Sequence, residues 1–347
     1  MKLRKTILAA ALALSVAALS ACSSENKNSA DNAETKELQV IRVANMTGQP
    51  DQYAGYIGTE QGIFEKYGIK LETTEFAWGI GTIDAVVTGT ADIGQLADFA
   101  AVNRFGNTLH DTNLTIFSDL SAGGSNNGGI YVAPKYADDL SSLENSEGWI
   151  TSIGTVVEYY NWQAQKYLGL DPEKQKIVQS DSNLTSIALA QNGGASAVVA
   201  TGAQGDRYAE QGWKLVADSK DVGINVYAYL VSTNEYVDNN SELLANYLKA
   251  LKESYDYISD NLDEAAKKSA AKFGIDEQDF KSNWLQLNLR SGISEDGAAH
   301  LGEIKDWAFE NGKFPEDYDV KQFYNDKAAK IAFPEETDID LSGVVKE

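Results

Sequence analysis

The sequence holds one cysteine and two histidines in 347 residues. A single cysteine, Cys22, excludes a disulfide within the chain and any thiolate metal cluster. His110 and His300 leave little room for an imidazole metal site or a nucleophile–base pair, so neither a metal nor a catalytic residue is expected. Both histidines lie in polar surroundings and are expected at the surface. Basic residues are also scarce: 29 Lys and Arg stand against 51 Asp and Glu, a net charge of −22. No basic stripe exists to neutralise phosphates, which excludes nucleic acid as a partner. Beyond the N-terminal segment no apolar run reaches about 18 residues, so no membrane span is expected there.

What is present starts at the N-terminus. Lys2, Arg4 and Lys5 precede an apolar and small-residue run from Ile7 to Leu19, interrupted only by Ser15. This is a secretory signal pattern, too short and wrongly flanked for a spanning helix. It ends in Leu19-Ser20-Ala21-Cys22, which resembles the bacterial lipoprotein box, where cleavage precedes the cysteine and lipid is attached to its sulfur. Residues 1–21 are therefore the expected signal peptide and Cys22 the expected lipidation site. Removing three basic residues takes the charge from −22 to about −25. Residues 22–37 are polar and read as a disordered tether. The expected location is extracytoplasmic, lipid-anchored at the outer face of the cytoplasmic membrane or in a periplasm.

From residue 38 onward, strand and helix signals alternate, which predicts a mostly parallel sheet with helical crossovers. The stretch 69–85 organises the first half. Residues 69–76 read as a buried strand and 82–88 as a helix, with Trp78, Gly79 and Gly81 between them. A strand that ends in glycines and opens a helix leaves backbone N–H groups facing the space above the sheet. Trp78 adds an apolar wall. A second such turn, Ile153-Gly154-Thr155-Val156, opens the helix 156–168 in the second half. In two-lobed α/β proteins ligands bind at the carboxyl ends of the strands, so the two turns are expected to face each other across a cleft. Thr82 and Thr155 each offer a hydroxyl. A dinucleotide fold fails because Asp84 stands where the third glycine is required, and no Walker pattern occurs. After residue 240, Leu243, Leu244, Tyr247, Leu248, Leu251, Tyr255 and Ile258 recur at helical spacing and predict an amphipathic helix packed on the first lobe.

Several stretches together resemble the sulfonate/taurine/nitrate/thiamine-precursor binding family of ABC importer lipoproteins. They are Gly62-Ile63-Phe64-Glu65-Lys66-Tyr67-Gly68-Ile69, Asp84-Ala85-Val86-Val87-Thr88-Gly89-Thr90-Ala91-Asp92-Ile93-Gly94, Gly154-Thr155 and Tyr167-Leu168-Gly169-Leu170. The tail from Leu248 to Ala266 also fits. The resemblance covers nearly all of 38–330. It implies an α/β type II periplasmic-binding-protein fold: two Rossmann-like lobes, a hinge and a ligand cleft between them. Lobe 1 is then 38–134 plus 224–335 and lobe 2 is 135–223. It also implies a monomer without cofactor that captures a small-molecule ligand by lobe closure and delivers it to ABC permease subunits.

The ligand-binding residues expected on this reading are Gln49, Tyr53, Trp78, Gly79, Gly81, Thr82, Asp98, Gly154, Thr155, Glu158 and Tyr159. Asp98 falls at the end of the strand 93–95, and Glu158 on the first helical turn of the second lobe. Two acids beside Trp78, Tyr53, Tyr159, Tyr160 and Trp162 suit a ligand with a cationic or ring portion, such as a taurine-like zwitterion or a pyrimidine-type thiamine precursor. Glu158 equally suits plain stabilisation of its helix N-terminus. Arg207 is the arginine nearest the expected cleft, though it also reads as a surface helix residue. Two alternatives remain at this level, a secreted enzyme on the same scaffold and a sensor lipoprotein.

Overall fold

Two alternating runs of strand and helix each build a five-stranded sheet. The computed structural model describes residues 37–110, 113–122 and 128–345; the expected signal peptide, tether and Cys22 lie outside them. The first run is β1 (Gln39–Met46), α1 (Pro50–Glu60), α2 (Ile63–Lys66), β2 (Ile69–Phe76), α3 (Gly79–Val87), β3 (Gly94–Ala97), α4 (Asp98–Asn107) and β4 (Leu114–Ala122). The second is β5 (Gly128–Val132), β6 (Trp149–Thr151), α5 (Val156–Tyr167), β7 (Ile177–Gln179), α6 (Asn183–Gln191), β8 (Ala197–Thr201), α7 (Gly202–Glu210), β9 (Lys214–Asp218) and α8 (Ser219–Val222). The chain then returns through β10 (Tyr227–Thr233). It ends in helices α9 (Asn234–Asn239), α10 (Ser241–Asp260), α11 (Leu262–Phe273), α12 (Glu277–Trp284), α13 (Glu295–Glu310) and α14 (Lys327–Ala332). Among the described residues no helix is long and apolar enough to cross a membrane.

In the first sheet β1 and β2 run parallel, Gln39 opposite Ile69 through Met46 opposite Phe76. A parallel bridge between Val43 and Ile93 joins β1 to β3, with Ala44 N donating to Ile93 O at 2.8 Å. Arg42 holds the turn before β3: its main-chain N (2.8 Å) and Nε (3.1 Å) both donate to Asp92 Oδ2. β10 lies between β3 and β4, antiparallel to both, so the lateral order is β2-β1-β3-β10-β4. The second sheet has the order β7-β6-β8-β5-β9. β6 runs parallel to β7 and β8, and β5 antiparallel to β8 and β9. The two orders are equivalent. In each sheet the fourth place is filled by the strand with which the chain crosses into that half, β5 on entering the second and β10 on returning to the first, and that strand runs against its neighbours. Four of the five strands in each sheet therefore run the same way, as expected, and one runs against them. The strand near 130, read from sequence as the end of the first half, pairs in the second sheet.

The core of the first half lies between its sheet and the helices α1 and α10. Ile41, Val43 and Ile93 point into it. Gly55 of α1 sits so close to this face that a Cβ there would stand 3.7 Å from Leu71. All seven apolar residues of the expected stripe, Leu243 to Ile258, are buried on α10. At Gly58 a Cβ would fall 2.1 Å from Ser254 Oγ, so glycine there is what lets α1 cross α10 closely.

Candidate functional site at the carboxyl ends of the strands

The carboxyl ends of β1, β2 and β3 lie against those of β6 and β7. Trp78, just after β2, donates its indole N–H to the carbonyl of Asp181, just after β7. At Gly154, after β6, a Cβ would come 3.6 Å from Asn103 Nδ2 on α4.

Around the first turn, the helix expected from residue 82 begins at Gly79. Trp78 is its N-cap in extended conformation (φ −138°, ψ 151°). Gly79 and Gly81 therefore form the first helical turn and not the loop before it. Neither adopts a left-handed φ. Their value is close approach: a Cβ at Gly79 would stand 3.0 Å from the Gln95 carbonyl, and one at Gly81 2.7 Å from the Phe76 ring. Thr82 is fully buried. Its hydroxyl donates toward Gly79 O (2.8 Å) and Gln95 O (2.7 Å) and accepts from Gln95 N (3.0 Å). The expected Thr82 hydroxyl for a ligand is consumed in fixing α3 to β3.

The second turn is built differently. Gly154 has φ +80°, and its N–H donates to Glu158 Oε2 at 2.7 Å. Thr155 caps α5, accepting from Val157 N (3.3 Å) and donating to Ser152 O (2.7 Å). The other oxygen of Glu158 is paired with Lys313, beyond α13. Glu158 therefore closes its own turn and holds the C-terminal segment.

Asp98, also expected to face a ligand, is wholly buried. Its Oδ1 accepts from Phe99 N at 2.7 Å. Its Oδ2 accepts from Tyr160 OH (3.0 Å) on α5 and from Tyr227 N (3.0 Å) at the start of β10. His300 Nε2 on α13 lies 2.9 Å from the same oxygen. One carboxylate thus ties α4, α5, β10 and α13 together. Burial, then the charge of Asp98, pushes the Tyr160 phenol well above its ordinary pKa. His300 corrects the expectation of a surface residue: only 16% of its side chain is exposed, and it stacks on Tyr227 at 4.2 Å. His110 is exposed, as expected, and lies 3.1 Å from Glu316.

Tyr159 is buried beside Asp98 and is held in a cluster of rings. It packs on Tyr160 (5.1 Å), on Phe99 (6.2 Å) and on Trp307 of α13 (4.8 Å). Trp307 also packs on Trp162 at 5.2 Å. Burial, with Asp98 second, raises the Tyr159 hydroxyl to about 12. Gln49 is the half-buried N-cap of α1. Tyr53 packs edge-on against Phe273 and Phe280, and a Cβ at Gly48, just after β1, would stand 3.9 Å from its hydroxyl. Arg207 pairs with Asp279 at 3.2 Å on an exposed surface. The structure thus brings Asp98, Tyr159, Gly154, Glu158 and Trp78 to one junction. Sequence reasoning missed Trp307, Lys313, Tyr227 and His300 as members of this junction. No signal within 20 residues of the turns points to them.

The paired five-stranded sheets with exchanged antiparallel strands define an α/β protein of the periplasmic-binding type. Residues 150–265 match the family model described as NMT1/THI5 like. Among solved structures, the chain is similar to the periplasmic aliphatic sulphonate binding protein SsuA from Escherichia coli, at 16% identity and a TM-score of 0.67, covering 82% of this chain and 91% of that one. It is similar to the periplasmic nitrate-binding protein NrtA from Synechocystis PCC 6803, at 14% identity and a TM-score of 0.67, covering 86% and 89%. It is also similar to the Candida albicans CA3427 gene product, described as having the generic periplasmic binding protein structural fold, at 13% identity and a TM-score of 0.64, covering 83% and 97%. Likeness at such identities establishes the fold. None of the curated proteins matches the chain in sequence.

Proposed function

We propose that this protein is the solute-binding component of an ABC importer, and not an enzyme. On this reading it captures a small polar organic solute between two lobes, as a lipoprotein anchored through Cys22, and passes it to permease subunits. The observation that carries it is the meeting of strand ends from two sheets at Trp78 and Asp181, the place where open α/β sheets bind ligands. The exchange of β5 and β10 supports one lobe boundary near 122–128, ahead of the expected 134, and a second within 218–227, which includes the expected 224.

The solute contacts follow from what is left unspent at the junction. Asp98, Glu158, the Gly154 N–H and Thr155 are committed to protein partners, so the ligand reading rests on the Trp78 ring, Gln49 and the first-turn N–H groups at Gly79. Helix N-termini favour an anionic group, and an indole favours an apolar or ring portion. A sulfonate carrying an organic tail, or a ring compound of the thiamine-precursor kind, suits both. The likeness to a sulphonate-binding and a nitrate-binding protein agrees with the anionic part.

Mass spectrometry of the compound released on denaturation identifies the solute. With that compound in hand, Trp78→Ala is expected to weaken binding at least about tenfold, the loss of roughly 1.4 kcal/mol of contact. Unaltered affinity in a fluorescence or calorimetric titration removes Trp78 from the site. Turnover of the compound by the protein would replace transport with catalysis as the reading.

A further inference from the structure

We propose that a buried site between the first sheet and helices α1 and α10 holds a small monovalent cation, with sodium as the probe, through oxygens of Asp51, Asn45, Gln95 and Tyr255. This inference does not depend on the solute-binding reading.

Four observations place these side chains together. Val43 and Ile93 are bridged, so Asn45 and Gln95 are each two residues further along adjacent strands and share the face of that bridge. Leu71 pairs with Ile41 on the same face, and its side chain reaches Gly55, so α1 covers this face. Gln95 pairs with Leu230 across β3 and β10. Leu230 and Tyr255 line one small cavity of about 10 Å³ under α10, so Tyr255 covers the same face further across. Asp51 lies on the first turn of α1 and faces this region: burial first, then the charge of Asp51, raises the phenols of Tyr247 and Tyr255.

All four side chains are more than nine-tenths buried. Asn45 Oδ1, both oxygens of Asp51, Gln95 Oε1 and Tyr255 OH have no hydrogen-bond partner among the described residues. A buried acceptor without a partner costs about 1–3 kcal/mol, and a buried carboxylate without a counter-charge costs far more. Such groups in a native fold call for an explanation. Desolvation raises the Asp51 carboxyl to about 7, against a lowering by the backbone N–H groups of Asp51 and Gln52 at the start of α1. A proton on Asp51 cancels its charge but supplies one donor to a set made mostly of acceptors. A hard cation meets the carboxylate and both amide carbonyls at once. One carboxylate among neutral oxygens balances a single positive charge. Zinc-type chemistry does not fit, since no group of three His, Cys, Asp or Glu side chains placed to hold a metal occurs among the described residues. Gln52 accepts from Gly48 N at 2.8 Å, and its buried amide nitrogen has no partner among the described residues; a donor takes no part in holding a cation.

The test is thermal melting of the protein at fixed ionic strength, with sodium chloride replacing choline chloride stepwise. Sodium is expected to raise the melting temperature saturably, by at least about 2 °C. Asp51→Asn, of the same shape, is expected to lose the shift. Gln95→Met is expected to raise the sodium concentration for half the shift at least tenfold. Equal melting in the two salts overturns the proposal even if neither variant folds. A shift kept in full by Asp51→Asn overturns it too, and marks a general salt effect or a group of bound waters.

Discussion

Single residues carry the most in this protein where a charge is buried. Asp119 accepts from Ser294 N (3.0 Å) and Ser294 Oγ (2.7 Å) through one oxygen, and its other oxygen has no partner among the described residues. Burial raises its carboxyl to about 6, against the lowering by Ser294; the ordinary value is about 3.9. A folded-state pKa above the unfolded one means the native state binds the proton more tightly. Stability from this group is then full below about pH 4 and is lost as pH rises through 6. Two units correspond to a loss of about 2–3 kcal/mol. Asp119→Asn keeps an acceptor for Ser294 and is expected to flatten that part of the pH dependence. Chemical denaturation of both proteins between pH 4 and 7 measures the difference, and parallel curves would reject the assignment. The same scale shows what residue patterns conceal. Asp98 and Glu158 look like ligand acids in the sequence, yet each has one oxygen taken by a nearby backbone N–H and the other by partners far away in the chain.

At the level of elements, glycine spacing speaks about packing as much as about turns. Gly94 opens β3 directly under α3: a Cβ there would stand 2.9 Å from Thr82 O and 3.1 Å from Val86 Cγ2. The first neighbour is backbone and cannot swing away, so Gly94→Ala is expected to cost about 1–3 kcal/mol. Gly302 lies inside α13 with nothing within 4 Å of its would-be Cβ. Gly302→Ala is expected to stabilise by roughly 0.5–1 kcal/mol through the unfolded chain and helix propensity. Melting of the two variants side by side checks both signs; equal and small shifts would mean that α3 and β3 separate easily. Most elements were legible from pattern alone. The strand 69–76 and the stripe of α10 need only neighbours two, three or four residues apart to declare themselves, although β2 lies at the sheet edge with only Ile69 buried and is not the buried strand expected. Ser182 declares the start of α6, where it caps Thr185 N at 3.1 Å. The start of α3 was misplaced by three residues, because Gly79 and Gly81 read as turn formers and their negative φ comes from contacts with β2 and β3.

On the scale of the whole molecule, the two sheets are joined by exchanged strands and by the last third of the chain. Trp307 and Lys313 reach across to α5, and Asp98 collects donors from α4, α5, β10 and α13. Asp98→Ala leaves several of these donors buried without an acceptor, at about 1–3 kcal/mol each. The expected loss of stability is therefore roughly 3 kcal/mol or more. Asp98→Asn, which keeps one acceptor oxygen, is expected to lose less. Denaturant midpoints of the two variants test this, and a loss below about 1 kcal/mol in the alanine variant would show that the junction is held elsewhere.

By itself the sequence determined the alternation of strands and helices, the two glycine-marked turns and the family resemblance, and these led to a two-lobed periplasmic-binding fold. All of these depend on residues close together in the chain, where spacing and composition act directly. Only the tertiary structure decided which strands cross between sheets, where α3 begins, and which polar groups at the strand–helix turns are spent. The opening turn at Trp78, Gly79 and Gly81 keeps its place at the junction, with its threonine withdrawn into the fold. The acids beside it are claimed by Tyr160, His300 and Lys313, the histidine from 202 residues away. A buried carboxylate must find its donors wherever folding brings them, and no local pattern records that choice.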